Sequence, residues 1–194
     1  MTARIVFLDR AIFAPSVALK APSFAHEWVD HATTRPDEVV GRLRGARIAA
    51  TSKIPIGEAE MAALPDLAMI AIAGTGTDHI DLAAAKAKGV VVANLKGYAW
   101  RAVAEHAIAL AFALARNLKA YGAATAAGRW TEAEAFCWHG AGPIRDLMGA
   151  TFVVVGKGSI GAETGRLAEA LGMKTLYAER PDATAVRPGY VAFA

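Results

Sequence analysis

The chain has 194 residues, a length that fits one large or two small domains with a substantial hydrophobic core. Hydrophobic residues make up 55% and charged residues 20%, which excludes an intrinsically disordered chain. The net charge of +3 is small, and no aromatic-basic pattern or DNA-binding motif accompanies it. The composition therefore argues against a nucleic-acid partner.

A single cysteine, Cys137, excludes an intrachain disulfide framework and a cysteine-based metal cluster. It has no basic neighbour adjacent in sequence, so we interpret it as a packed or idle thiol. The histidines show no ligand spacing, and no metal is expected. The most apolar helical stretch, residues 102–115, is too short to span a bilayer and contains Glu105. Because Asp9 comes too early for a signal peptide, we expect a cytoplasmic protein that does not contact a membrane.

Short β-branched runs alternate with alanine-rich helical patterns in the first half of the chain. The apolar runs predict four strands, at residues 4–9, 47–52, 67–74 and 90–95. Helical spacing predicts three helices between them, at residues 37–46, 57–65 and 81–89. Apolar strands that alternate with helices are typical of a parallel sheet covered on both faces, so an α/β fold is expected.

The second half begins with one long predicted helix, from about residue 101 to 121. It is apolar on nearly all sides, so we expect it to be buried, and a position between two domains would achieve this. A less regular segment follows, and a βαβ unit starts at Thr151 with "TFVVV", "AETGRLAEALG" and "KTLYAE". A doubly wound dinucleotide-binding domain has about six strands, so this second domain is expected to be incomplete.

The stretch "GKGSIG" carries Gly156, Gly158 and Gly161 in the G-x-G-x-x-G pattern, between a predicted strand and a predicted helix. The first glycine permits the tight turn, the second lets a pyrophosphate approach the backbone, and the third allows helix and strand to pack closely. The amides of Ser159 and Ile160 lie at the helix N-terminus, where N–H groups and the helix dipole attract phosphate. The pattern predicts a dinucleotide-binding turn.

An acidic residue ends the second strand of this unit. Glu179 lies 18 residues beyond Gly161, where a carboxylate can accept hydrogen bonds from the adenosine ribose hydroxyls. A carboxylate at this position repels a 2′-phosphate and favours NAD. The neighbouring Arg180 can instead pair with that phosphate, so NADP is the alternative cofactor.

A second glycine turn follows the predicted strand at residues 67–74. Gly74, Thr75 and Gly76 present successive backbone N–H groups at the carboxyl end of a parallel strand, where α/β sheets bind ligands. Such a turn can form a nest for a carboxylate. The spacing alone fits an ordinary strand-to-helix turn equally well.

With both turns in view, the chain resembles the D-isomer-specific 2-hydroxyacid dehydrogenases over essentially its whole length. The resemblance rests on "AGTGTDHIDLAAAKAKGVVVANLKGY", "VAEHAIALAFALAR", "GRW" and "LMGATFVVVGKGSIG". Within the family, "FCWHGAGPIRDL", "AERP" and "RPGY" are most similar to glycerate dehydrogenase, also called hydroxypyruvate reductase. Trp100 departs from relatives that have a smaller or polar residue there, so the pocket wall is expected to differ.

The resemblance implies a flavodoxin-like parallel-sheet substrate domain at residues 1–97. It implies an interdomain helix, a dimerisation segment and an incomplete Rossmann dinucleotide-binding domain at residues 98–194. The backbone of Thr75 and Gly76 would hold the substrate carboxylate, Val103 would lie near the nicotinamide, and a homodimer would form through residues 120–150. The implied cofactor-binding residues of the Rossmann unit are Gly156, Gly158, Ser159, Ile160, Gly161, Glu179 and Arg180.

The family's catalytic groups are an arginine that grips the substrate, a histidine acid/base and a carboxylate that raises the histidine's pKa. In the family they follow the second Rossmann strand, so we expect them beyond residue 194 and expect no catalytic residue in this chain. His106 cannot form a dyad with Glu105, because adjacent helix residues point in different directions. We interpret it as a residue that packs or hydrogen-bonds at the domain boundary, and His79 as part of a helix start with Asp78 and Asp81.

The sequence thus predicts an NAD-dependent oxidoreductase that interconverts hydroxypyruvate and D-glycerate by hydride transfer. The 194-residue chain alone is expected to be inactive. The alternative is a truncated or regulatory nucleotide-binding chain without catalysis. An unfinished sheet would leave apolar strand edges uncovered, so we expect the chain to be poorly soluble, to self-associate or to need a partner chain.

Overall fold

The computed structural model describes residues 2–193, and the chain divides into two compact units, residues 1–96 and 97–194. The first unit is built on a five-stranded parallel sheet in the order β2-β1-β3-β4-β5. Its strands are β1 (Ala3–Phe7), β2 (His26–Asp30), β3 (Ile48–Thr51), β4 (Met69–Ile72) and β5 (Val91–Asn94). This is the flavodoxin-like strand order, so the predicted α/β class is confirmed.

Three short helices connect the strands of the first unit: α1 (Val39–Leu43), α2 (Glu58–Ala62) and α3 (Leu82–Ala87). The predicted start of α3 is confirmed, because the Asp81 carboxylate accepts a hydrogen bond from the Ala84 N–H at 2.9 Å. The helices bury aliphatic side chains against the sheet. The core includes Val6, Leu8, Leu43, Ile56 and Ile70, each at 0% exposure.

Strand β2 was not predicted from the sequence. It lies at one edge of the sheet, pairs only with β1, and none of its residues is fully buried. Its sequence "HEWVD" mixes charged and aromatic residues and therefore lacks the continuous apolar run that identifies the central strands. Edge strands commonly carry such charges, which discourage pairing with another chain.

The second unit contains α4 (Trp100–Ala115), α5 (Leu118–Ala126), β6 (Thr151–Val155), α6 (Ser159–Ala170) and β7 (Lys174–Ala178). Strands β6 and β7 form a two-stranded parallel sheet. Helix α6 connects them and packs against α4. The small core of this unit consists of Ile108, Ala168 and Met173, with Phe112, Leu147, Phe152 and Leu167 packed around them.

The predicted single helix over residues 101–121 is wrong, because the helix ends before Asn117. This residue adopts the left-handed conformation, with φ of 49°, and its side-chain amide donates to the carbonyl of Pro143 at 2.6 Å. Asparagine tolerates this conformation better than most residues, which explains the break at this position. The expected burial of the helix holds on one face only: Ala104 and Ile108 are buried, whereas Leu110 and Leu114 are 52% and 78% exposed.

Candidate functional site

The glycine turn between β6 and α6 has the geometry that its sequence pattern predicts. Gly156 adopts φ of 89°, which only glycine does without strain, and its N–H donates to the carbonyl of Ala178 in β7 at 2.9 Å. A Cβ built on Gly161 would overlap the carbonyl oxygen of Gly156. A Cβ built on Gly158 would meet nothing within 4 Å. The turn is therefore tightly packed at Gly161, where the helix lies on the strand, and it is open at Gly158, where a ligand would approach.

Helix α6 presents its N-terminus at this opening. Gly158 occupies the N-cap position, its carbonyl accepts from the Ala162 N–H at 2.8 Å, and no side chain caps the helix. The N–H groups of Ser159 and Ile160 belong to the first turn, which has no intrahelical acceptors. An anion would be stabilised here by these N–H groups and by the helix dipole.

A cleft of about 490 Å³ lies along the glycine turn. Its walls come from β6, the first residues of α6 and one residue of α4, Ala107. Two β6 side chains beside it, Val153 and Val155, are 53% and 50% exposed. The cleft thus combines apolar walls with backbone N–H groups, a combination that suits a nucleotide.

Glu179, the predicted ribose acceptor, is buried at the end of β7. Its carboxylate accepts three hydrogen bonds from one residue: from the Arg187 backbone N–H at 2.9 Å, from Nε at 2.7 Å and from Nη2 at 2.8 Å. This guanidinium, by hydrogen bonding to the carboxylate, holds the pKa of Glu179 below its usual range. The role of Glu179 in holding a ribose stays a prediction, and its partner Arg187 was missed by the sequence reasoning.

Arg180, the predicted alternative phosphate contact, is an exposed residue. Its side chain is 74% exposed and its Nε lies 3.5 Å from a carboxylate oxygen of Asp182. An ion pair between two exposed side chains contributes little to stability, so Arg180 stays available to a ligand.

The segment after β7 returns to the sheet and to the glycine turn. Val191 forms a parallel bridge with Ala178, and its N–H donates to the carbonyl of Tyr177 at 2.8 Å. The Tyr190 hydroxyl accepts from the Lys157 N–H of the glycine turn at 3.2 Å. The expectation of an uncovered edge is therefore wrong in part, because this segment covers the end of the β7 edge. The signal in the sequence was "RPGY", in which Gly189 supplies a turn with φ of 80°.

The predicted carboxylate loop follows β4 and is held by the end of β5. The Thr75 hydroxyl donates to the carbonyl of Leu95 at 2.8 Å, and the Asn94 side-chain amide donates to the carbonyl of Thr75 at 2.7 Å. Thr75 and Gly76 are exposed. Asn94 was missed by the sequence reasoning, although a polar residue at the carboxyl end of a neighbouring parallel strand is a usable signal.

A buried carboxylate at the end of β1 organises the loop after β3. Asp9 is 5% exposed and accepts from the backbone N–H groups of Ser52, at 2.9 Å, and Lys53, at 2.8 Å. The carboxylate replaces the water that these two N–H groups lose on folding. This role was also missed from the sequence.

The remaining candidates lie outside these loops. Val103 on α4 is 43% exposed. His106 is exposed, so the prediction that it packs is wrong. His79 has both ring nitrogens buried without a hydrogen-bond partner among residues 2–193. Cys137 is an exposed thiol whose Sγ lies 3.2 Å from His139 Nε2, so it is not packed.

Metal-binding clusters and membrane-spanning helices are both absent from the part of the chain that the structure describes. Within residues 2–193, His, Cys, Asp and Glu side chains nowhere gather in groups of three that suit a metal ion. No helix in the same range has the length and apolarity needed to cross a membrane.

The fold is that of an α/β protein in which glycine turns follow two of the parallel strands, β4 and β6. Residues 12–180 match the D-isomer specific 2-hydroxyacid dehydrogenase family, catalytic domain, and the chain belongs to this family. The predicted resemblance is thereby confirmed.

Curated relatives agree with this assignment. The chain is 40% identical to a putative 2-hydroxyacid dehydrogenase of Haemophilus influenzae over 190 residues, which cover 98% of this chain and 60% of the relative. It is 42% identical to the glycerate dehydrogenase of Methylorubrum extorquens over 177 residues, which cover 91% of this chain and 55% of the relative. The chain thus spans less than two thirds of the length of the relatives it matches.

Solved structures show the same fold. A Thermus thermophilus protein superposes with a TM-score of 0.76 at 25% identity, over 99% of this chain and 60% of that one. The NADPH-dependent glyoxylate/hydroxypyruvate reductase of Sinorhizobium meliloti, solved with citrate, gives a TM-score of 0.74 at 28% identity, over 98% of this chain and 58% of that one.

Proposed function

We propose that the chain is the substrate-binding unit and the first part of the nucleotide-binding unit of an oxidoreductase that interconverts hydroxypyruvate and D-glycerate. Membership of the family and the identity to a glycerate dehydrogenase support this proposal. The observation that carries it is the turn into α6, which is open at Gly158 and presents a helix N-terminus without a side-chain cap.

The residues of the second unit fit a nicotinamide nucleotide. A Cβ built on Gly158 meets nothing within 4 Å, so a pyrophosphate would approach the backbone there, and the first-turn N–H groups of Ser159 and Ile160 would donate to its oxygens. The bound nucleotide would supply the hydride. The sequence favours NAD through Glu179, whereas the ion pair with Arg187 weakens that preference.

The residues of the first unit fit a substrate carboxylate. The backbone N–H groups of Thr75 and Gly76 would bind it, and the bond from Asn94 to the Thr75 carbonyl would orient the loop. A loop that is held before the substrate arrives costs less to order on binding. Acid/base catalysis and the arginine grip on the substrate would come from residues beyond position 194, so the 194-residue chain would bind nucleotide without turnover.

A homodimer is part of the same proposal. Residues 120–150 expose large apolar side chains, with Trp130 at 49%, Phe136 at 96% and Met148 at 81% exposure. Such a surface is more typical of a protein interface than of a monomer. Sedimentation of the chain as a monomer at micromolar concentration would count against this part of the proposal.

Titration of the chain with NADH tests nucleotide binding. Gly158→Asp supplies a good N-cap, so α6 stays stable, but its side chain enters the phosphate position with a negative charge. We expect at least about tenfold weaker binding, with unchanged thermal unfolding. Gly158→Asn matches the cap and the volume without the charge, and it should lose less affinity than the aspartate variant. Undiminished binding by Gly158→Asp contradicts the proposed site.

An assay of NADH oxidation with hydroxypyruvate separates the enzyme from the alternative, a regulatory nucleotide-binding chain. The 194-residue chain alone is expected to show no turnover, and a chain extended to the length of the relatives should turn over at about 1 s⁻¹ or faster. Binding of nucleotide without turnover by the extended chain would favour the regulatory role.

A further inference from the structure

The carboxylate that would receive the ribose is already occupied by an arginine of the same chain. Arg187 contacts both oxygens of Glu179, with Nε 2.7 Å from Oε1 and Nη2 2.8 Å from Oε2. Its backbone N–H adds a third bond to Oε1 at 2.9 Å. This bidentate arrangement is the strong form of an arginine–carboxylate interaction, and it engages both carboxylate oxygens of Glu179.

The arginine is itself held in place. Its guanidinium lies 4.2 Å from the ring centroid of Tyr190, whose hydroxyl accepts from the Lys157 N–H. The next residue, Val191, pairs with β7. The contact between Arg187 and Glu179 is therefore one part of a segment that is attached to the sheet at several points.

Two guanidinium groups, those of Arg187 and Arg180, face solvent at this end of β7, together with the exposed Asp182 carboxylate 3.5 Å from Arg180. The Glu179 side chain is 5% exposed, whereas the Arg187 side chain is 60% exposed. Arg180, next to Glu179, is 74% exposed. A ligand that approaches the end of β7 therefore meets two guanidinium groups before it meets the Glu179 carboxylate.

A cavity of about 150 Å³ lies at the same place. Glu179 and Arg180 contribute to its lining, together with residues 183–186 of the following loop. Glutamate at this position discriminates against NADP because its free carboxylate binds the ribose hydroxyls and repels a 2′-phosphate. The Glu179 carboxylate is instead paired with a guanidinium and already accepts three hydrogen bonds, so it binds ribose hydroxyls and repels a 2′-phosphate less than a free carboxylate does.

We propose that Arg187 determines the cofactor preference of this site: by engaging Glu179, it removes the preference for NAD and admits the 2′-phosphate of NADP. This inference rests on the proposed nucleotide-binding function and names the residue that selects between the two nucleotides. Arg187 acts through Glu179, and Arg180 is the basic group left to pair with the phosphate.

Isothermal titration with two adenosine fragments tests the inference on the chain as it is. Adenosine 2′,5′-bisphosphate carries the 2′-phosphate and 5′-AMP lacks it, and both occupy only the adenosine end of the site. We expect the unmodified chain to bind the bisphosphate at least as tightly as 5′-AMP. In Arg187→Met the freed carboxylate should shift the ratio of the two affinities by about tenfold or more toward 5′-AMP.

A double variant shows whether the arginine acts through the carboxylate. Glu179→Gln combined with Arg187→Met removes both charges, and it should restore binding of the bisphosphate. If the double variant stays as weak as Arg187→Met, Arg187 contacts the phosphate directly or is only structural, and the inference is overturned. A preference of the unmodified chain for 5′-AMP by about tenfold overturns it as well.

The outcomes also separate this inference from the proposed function. If neither fragment, NADH nor NADPH binds, the nucleotide-binding function itself fails, and the inference fails with it. If both fragments bind and Arg187→Met leaves their ratio unchanged, the nucleotide site stands and only the role of Arg187 is refuted. Hydrogen exchange of the segment 187–191 in each variant shows whether it stays paired with β7.

Discussion

Gly161→Ala gives the sharpest test of how the glycine turn packs. The residue lies in the first turn of α6, where alanine gains about 1 kcal/mol of helix propensity over glycine. The added methyl would overlap the Gly156 carbonyl oxygen and lie 3.1 Å from Cγ1 of Val154. Overpacking costs about 1–3 kcal/mol, and the upper end applies because the obstacle is backbone. We expect a net loss of about 2 kcal/mol.

Gly122→Ala is the matched control for this substitution. Gly122 lies in α5, is exposed, and has nothing within 4 Å of a built Cβ. The same methyl should therefore stabilise the chain by about 0.5–1 kcal/mol. Urea unfolding gives the free energies, and hydrogen exchange of peptides from β6 and α6 shows where the loss occurs. If the Gly161→Ala variant has the same free energy of unfolding as Gly122→Ala, and if the amides of α6 exchange equally slowly in both variants, the packing explanation of Gly161 is refuted.

Three further predictions concern charged and polar groups. Asp9→Asn should lower the free energy of unfolding by about 2 kcal/mol, because it replaces a buried charged acceptor of two backbone N–H groups with a neutral one. An equal effect of Asp66→Asn, at an exposed position, would contradict this. Asn94→Ala should cost about 1 kcal/mol and speed hydrogen exchange of the Thr75 loop, and unchanged exchange would show that the bond does not hold the loop. Glu179 has a depressed pKa in the folded chain, so its ion pair contributes fully above the usual carboxyl pKa of 4.5 and is lost as pH falls below that value. An NMR titration of the Glu179 carboxyl that shows an unshifted midpoint would disprove the pairing.

The central strands were predictable from the sequence because their burial on both faces requires continuous apolar runs. The apolar runs at residues 47–52 and 67–74 predict two strands, and both form as β3 and β4 inside the five-stranded sheet. The edge strand β2 was not predictable in this way, since one free edge and a half-exposed surface tolerate the polar residues of "HEWVD".

The helical periodicity of the sequence also did not predict the break at Asn117. Helical periodicity is local, and it continues on both sides of the break. What ends α4 is a tertiary contact, the bond from the Asn117 amide to Pro143, which lies 26 residues further along the chain. The apolar composition of α4 likewise did not show whether all of its faces are buried or whether one of them is exposed within this chain.

The candidate site likewise contains residues that sequence motifs identify and residues that they do not. Motifs identify the backbone turns, because glycine is required wherever φ is positive or a Cβ would clash, as at Gly156 and Gly161. Asp9 holds the loop after β3, Asn94 holds the Thr75 loop and Arg187 holds Glu179, through bonds that span 8 to 44 residues of sequence. No fixed spacing marks such partners; only Asn94 carries a usable signal, its position at the carboxyl end of a parallel strand next to β4.

The placement of these partners has a consequence for how a nucleotide would bind. Tyr190 accepts from the Lys157 N–H of the glycine turn, and Arg187 engages Glu179 at the ribose end, so both ends of the predicted site contact one short segment. A pyrophosphate that recruited the Lys157 N–H would compete with Tyr190 and loosen the segment that carries Arg187. Binding at the phosphate end would then alter the ribose end, whereas a fragment that lacks the pyrophosphate would leave the segment in place. The two ends should therefore be energetically coupled, and the coupling should disappear in a Tyr190→Phe variant, which cannot accept that bond.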